Sequence, residues 1–146
     1  MDADGFTLLS RLISMGSSSL LQYVSESFPW SADPAHAALD TVMTLARVER
    51  DAVTLITRHL QKRHLRLPKF GSYPSHYTNI NFVSLEYLLP KLVAEQEKEI
   101  AEIVSRLLRE EDEEVRRLAQ SFLEMKRGHL QSLQELATNK MPARSA

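Results

Sequence analysis

Four residues of this chain have types and positions from which a metal or proton-handling site could be built: Glu49, Gln96, Glu99 and His129. A carboxylate offers anionic oxygens, an imidazole one ring nitrogen, and a carboxamide a neutral oxygen. Glu49, Gln96 and His129 each interrupt an otherwise apolar helical stripe near its middle, and Gly16 does the same in a fourth stripe. An unpaired carboxylate is costly to bury. At one depth these side chains would either satisfy one another or hold a metal, with Glu99 as a neighbouring carboxylate. Each also has a plainer reading. Glu49 lies close to Arg47 and Arg50 and can pair at a seam edge. His129 can be a hydrogen-bonded core histidine. Glu95, Glu97, Glu99 and Glu102 can form a solvated face with Lys98.

The remaining candidates are weaker. His59 and His64 are five residues apart, on different faces of a helix. His76 sits near Tyr73 and Tyr77, a trio that could line a pocket or simply pack. Ser17 to Ser19 have no neighbouring His or Asp in a nucleophile motif, and no glycine-rich phosphate loop occurs. His129 is followed by Leu130-Gln131-Ser132, which departs from the Lys-Gly that usually follows the His of a histidine phosphotransfer module. The basic cluster His59, Lys62, Arg63, His64, Arg66 and Lys69 could meet an anionic partner, although a helix C-terminus favours cations in any case.

The elements that position these residues are helices. The 146-residue length suits one domain, residues 1–146. Few glycines and prolines and abundant Leu, Ala, Glu, Arg and Gln favour helix. The first helix is predicted over about 6–28, with the stripe Phe6, Leu9, Ile13, Gly16, Leu20, Tyr23, Ser27. Gly16 and the serines after it leave its continuity open, and Phe28-Pro29-Trp30 ends it. The second runs over about 34–64, with Asp33 as N-cap and Pro34 in the first turn. Its stripe is Leu39, Val42, Ala46, Glu49, Val53, Ile56, Leu60. The third covers about 82–109, with Leu89, Val93, Gln96, Ile100, Ile103 and Leu107. The fourth covers about 112–138, with Val115, Leu118, Phe122, Met125, His129, Leu133 and Leu136. The apolar phase slips by about one residue near Glu110, so the last two helices are separate. The tail 139–146 is expected to fray. Between the second and third helices, 65–81 carries Pro68, Gly71 and Pro74 among Phe70, Tyr73 and Tyr77. About sixteen extended residues reach ~50 Å, enough to cross the length of a thirty-residue helix at ~45 Å.

The predicted fold is therefore all-α, an antiparallel four-helix bundle with a long crossover between helices 2 and 3. This layout resembles the ferritin-like superfamily, including rubrerythrin-type and bacterioferritin-type bundles, over nearly the whole chain. The resemblance implies a di-iron site with one Glu each from the first and third helices and Glu-x-x-His from the second and fourth. This chain departs from that pattern. Glu49 matches a Glu, but Ala52 stands at its His position. His129 matches a His, but Lys126 stands at its Glu position. The first helix has no carboxylate at that depth, and the third has Gln96 flanked by Glu95 and Glu99.

These departures lead to the expectation of a ferritin-like bundle with a degenerate metal site, no cofactor and a structural or protein-interaction role. Leu45 and Leu55, and Leu21 with Val24, are expected to widen the apolar surface of a homodimer. One alternative is an iron- or manganese-binding oxidoreductase or storage protein with an unconventional site at Glu49, His129, Gln96 and Glu99. Another is a bundle binding a small apolar ligand. A net charge of −1 gives no drive toward nucleic acid or acidic membranes. The absence of cysteine excludes thiolate chemistry. An acidic start and no apolar run of membrane length lead to the expectation of a cytoplasmic protein.

Overall fold

The computed structural model describes residues 2–27, 36–67, 73–80 and 84–145, with the backbone alone at 36, 78–80 and 139–145. Among these residues every regular element is helical: α1 (Ala3–Ser17), α2 (Leu20–Ser27), α3 (His36–Lys62), a 3₁₀ turn (Ser75–Ile80), α4 (Leu85–Leu107) and α5 (Glu113–Ser145). No described helix is long and apolar enough to cross a membrane.

The region expected as one helix over 6–28 is two. The Asp2 carboxylate accepts from Gly5 N at 2.7 Å and starts α1 three residues earlier than the apolar pattern suggested. At its end, the Ser18 N–H and hydroxyl both donate to Ser14 O. Ser19 Oγ accepts from Gln22 N at 3.1 Å and caps α2. Serine hydroxyls that compete with the backbone ladder account for the break.

Residues 28–35, including Phe28-Pro29-Trp30 and the expected Asp33–Pro34 start, lie outside the described residues, as do Pro68, Phe70 and Gly71. Helix α3 ends where His64 adopts a left-handed φ of 59°, and Leu65 N donates back to Leu60 O at 3.0 Å. Ser84 caps α4, and Pro90 is carried within that helix on its exposed face.

The slip in apolar phase does mark a turn. Asp112 Oδ1 accepts from Glu114 N and Val115 N to start α5. The Arg116 guanidinium donates to Leu107 O and Glu110 O across the turn. The backbone of α5 continues through 139–145, where fraying was expected. No glycine or proline stands between Gly128 and Pro142 to stop it.

The apolar core forms two clusters. One joins Leu8, Leu9, Leu12 and Ile13 to Val53, Ile56, Leu60, Ile103, Leu107, Val115 and Phe122. The other joins Leu20, Leu21 and Val24 to Val42, Ala46, Leu85, Leu88, Leu89, Leu92, Tyr77 and Leu133. Leu21 and Val24, expected to widen an outer surface, are thus core residues, because the break before Leu20 turns α2 inward. Leu55 is 63% exposed and Val48 42%. Tyr23 of α2 packs against Tyr73 and Tyr77, with ring centroids 5.1 and 5.4 Å away, which docks the described part of the 65–81 segment on the helices.

Candidate functional site

Between the two apolar clusters lies a layer of buried polar side chains. At its centre is Lys126 of α5, with no exposed surface. Its position follows from helical spacing, since Phe122, Lys126, His129 and Leu133 succeed one another at intervals of four, three and four on one face. The ammonium donates to Glu49 Oε2 of α3, and to Glu99 Oε1 of α4 at 2.9 Å. Glu49 is fully buried and Glu99 is 7% exposed. Three helices therefore meet at one cation.

The second oxygen of Glu49 is also satisfied. Its Oε1 accepts from Ser19 Oγ at 2.6 Å and from Gln22 Nε2 at 2.9 Å. Gln22 Nε2 donates in addition to Ala46 O at 2.7 Å, and Gln22 Oε1 accepts from the Arg50 guanidinium at 2.9 Å. The break between α1 and α2 thus delivers two donors to Glu49. Gly16 lets α1 approach closely. A Cβ there would overlap Val53 Cγ2 and lie 3.4 Å from Phe122 Cζ and 3.6 Å from Glu49 Cγ. To one side, Glu95 Oε1 accepts from Tyr77 OH at 2.9 Å and from Leu20 N at 3.3 Å.

The electrostatics are those of one cation shared by two anions. Burial alone would lower the Lys126 pKa, but Glu49 and Glu99 outweigh it and hold the ammonium above its ordinary range. Burial pushes Glu99 up to about 7, against the pull of Lys126. The layer can therefore take up one proton near neutrality. Burial pushes His129 down to about 4, with Lys126 adding to the effect and Glu49 opposing it, so the imidazole is neutral at pH 7.

Glu49 and Glu99 meet through Lys126. Gln96 lies one turn before Glu99 on α4, and His129 one turn after Lys126 on α5. Glu49, Gln96 and His129 do not hydrogen-bond one another among the described residues. Gln96 Oε1 and His129 Nδ1 are buried without a partner. The other histidines lie elsewhere: His59 Nδ1 is 3.4 Å from Glu114 Oε1, and His76 packs edge-on against Tyr77.

Among the described residues, no three His, Asp or Glu side chains are grouped so as to hold a metal. The space between Glu49 and Glu99 contains the Lys126 ammonium instead. The residues present do not fit a di-iron centre.

Sequence reasoning missed Lys126 as a core residue, and with it Ser19 and Gln22. The available signal was the 122–126–129–133 spacing, passed over in favour of Met125, which is only partly buried. No protein-family model, curated protein or solved structure matches this chain.

A pH dependence follows. His129 gains a proton less readily folded than unfolded, so its contribution is complete above about pH 6.5 and is lost as pH falls toward 4. Glu99, with its raised pKa, opposes this by stabilising the fold as pH falls below about 7. H129Q is expected to lose less stability than the native chain between pH 6.5 and 4, measured by urea denaturation across that range. Parallel curves for the two proteins would refute the assignment.

Proposed function

We propose that this chain is a ferritin-like, antiparallel four-helix bundle without a metal centre, acting as a structural or protein-interaction module. In this reading α1 and α2 form the first rod. The topology is supported by contacts at one end. His59 and Arg63 pair with Glu114, beside the start of α5. The short turn 108–112 makes α4 and α5 antiparallel. Helices α3 and α4 then run in the same direction, which requires a connection that crosses the bundle, as in ferritin-like folds. Leu8 and Leu9 of α1 pack at the same end, with Leu107 and Val115.

The observation that carries the functional reading is the ion-paired Lys126. A side chain of the chain itself occupies the polar centre with no exposed surface, so the centre is filled by a fixed cation. An interaction role is supported by a groove of about 260 Å³ between α3 and α5, floored by Ile56 and Phe122 and bordered by Val48, Leu55, Leu118 and Met125. We infer that a second copy of the chain covers it.

The test is metal analysis of protein purified without chelator, joined to light scattering. The expected result is substoichiometric iron, manganese and zinc, and a mass near twice 16.7 kDa that halves in L55E. One equivalent of metal, lost in E49A, would overturn the metal-free part, and a native mass of 16.7 kDa would overturn the dimer. The unpartnered His129 Nδ1 and Gln96 Oε1 favour one alternative, an iron- or manganese-binding bundle using Glu49, Glu99, His129 and Gln96, and the same metal analysis decides between the two.

A further inference from the structure

We propose that Gln96 and His129 together bind one internal water molecule, held between α4 and α5 a helical turn away from the Lys126 ion pairs.

The contacts between α4 and α5 fix which residues face each other. Arg116 donates to Leu107 O beside the turn, and farther from the turn Lys126 donates to Glu99. The two helices are therefore paired in opposite senses. Three residues back from Glu99 is Gln96, and three residues on from Lys126 is His129. Both steps stay on the inward face of a helix, so Gln96 and His129 share a level. The pairs on either side agree. Ile103 and Phe122 belong to the first apolar cluster, and Leu92 and Leu133 to the second. Gln96 is 1% exposed and His129 5%. Gln96 Oε1 and His129 Nδ1 are both buried without a hydrogen-bond partner, so they do not bond to each other directly. A buried polar atom without a partner is uncommon and calls for a reason. Two such atoms at one level, one from each helix, call for a shared reason.

The chemistry of the two atoms selects the occupant. Gln96 Oε1 can only accept, so the occupant must carry a hydrogen to donate. Nδ1 of a neutral imidazole accepts or donates according to its tautomer, and burial keeps His129 neutral at pH 7. The Lys126 ammonium one turn away on α5 disfavours a second cation, and the Glu49 and Glu99 carboxylates disfavour an anion. A neutral donor small enough to sit between packed helices is water. One oxygen making two hydrogen bonds of ~2.8 Å bridges polar atoms up to ~5.6 Å apart. Internal waters satisfy buried groups of this kind and are costly to remove. The bound water ties α4 to α5 where the polar layer meets the second apolar cluster.

The experiment is water-selective NMR on ¹³C,¹⁵N-labelled native chain, joined to ²H and ¹⁷O relaxation dispersion of the solvent for native chain and Q96M/H129L. Cross-peaks from water to the His129 ring and to the Leu92 or Leu133 methyls should carry the sign of a water that tumbles with the protein. The dispersion should show the loss of one long-lived water in Q96M/H129L, which removes both polar groups and keeps apolar bulk in their place. A native chain without those cross-peaks overturns the proposal, whether or not the variant folds. A folded Q96M/H129L with the native dispersion overturns it as well.

Discussion

Lys126→Ala should melt far below the native chain. The substitution leaves Glu49 and Glu99 facing each other in a dry interior and also removes the ammonium that stands 5.6 Å from the centroid of the Phe122 ring. Breaking a buried ion pair from one side costs about 3–5 kcal/mol, which for a chain of this length is a fall of roughly 10 °C or more. The same principle gives the control. Neutralising all three members in K126M/E49Q/E99Q removes the charges together, and the carboxamide oxygen introduced by E49Q would still accept from Ser19. That protein should lie within about 1–2 kcal/mol of native, since desolvation offsets much of what the ion pairs contribute. Thermal or urea denaturation of the two variants gives the comparison. A Lys126→Ala chain as stable as native, or a triple variant less stable than Lys126→Ala in metal-free buffer, would mean that the charges are not coupled as described.

Gly16→Val is the second large effect. Valine has the better backbone propensity in a helix, by a few tenths of a kcal/mol, so an exposed site would tolerate or favour it. At Gly16 the added Cβ overlaps Val53 Cγ2 and comes into contact with Phe122 and Glu49, which leaves little room for two further methyls. Overpacking of a filled core costs typically 1–3 kcal/mol, and two further methyls place this case at the upper end, about 3 kcal/mol. The overlapping atom also names a rescue. Val53→Ala removes it, so G16V/V53A should recover part of the loss that G16V causes alone. If Val53→Ala merely adds its own cost, close approach of α1 and α3 is not what requires glycine at position 16.

Much of the helical frame was legible in the sequence. Val42, Ala46, Glu49, Val53, Ile56 and Leu60 are all buried on α3 in the order their spacing predicted. The slip of apolar phase at Glu110 marked the turn before α5. On α4 and α5 most of the predicted stripe is buried (Leu89, Gln96, Ile103 and Leu107; Val115, Phe122, His129 and Leu133), but near the middle of each helix the inward position is a neighbour of the one predicted. Glu99 and Lys126 occupy it, while Ile100 and Met125 are only partly buried. A charged residue enters a core only when a counter-charge meets it from another helix, and that condition is not written in the local pattern of either helix. Glu49 escaped this error because its neighbours at intervals of three and four are all apolar. The break at Ser18–Ser19 was one of two open readings. Its consequence, a hydroxyl that caps α2 and also donates to Glu49, depends on where α3 lies, which the serine run cannot reveal. Of the four interruptions of the apolar stripes, Gly16 lies beside Glu49, which meets Lys126, while Gln96 and His129 are buried one helical turn from Glu99 and Lys126. Lys126, which joins Glu49 to Glu99, stands at a ligand position only in the proposed ferritin-like reading.

The most direct measurement is an NMR observation of lysine ammonium groups with ¹⁵N-labelled native chain, followed from pH 6 to pH 11. One ammonium should exchange slowly with water, disappear in K126M, and keep its proton beyond about pH 10.4, where ordinary lysines titrate. If instead all the lysine ammoniums exchange rapidly and titrate together near that value, Lys126 is in water, and the ion-paired centre that unites α3, α4 and α5 does not exist.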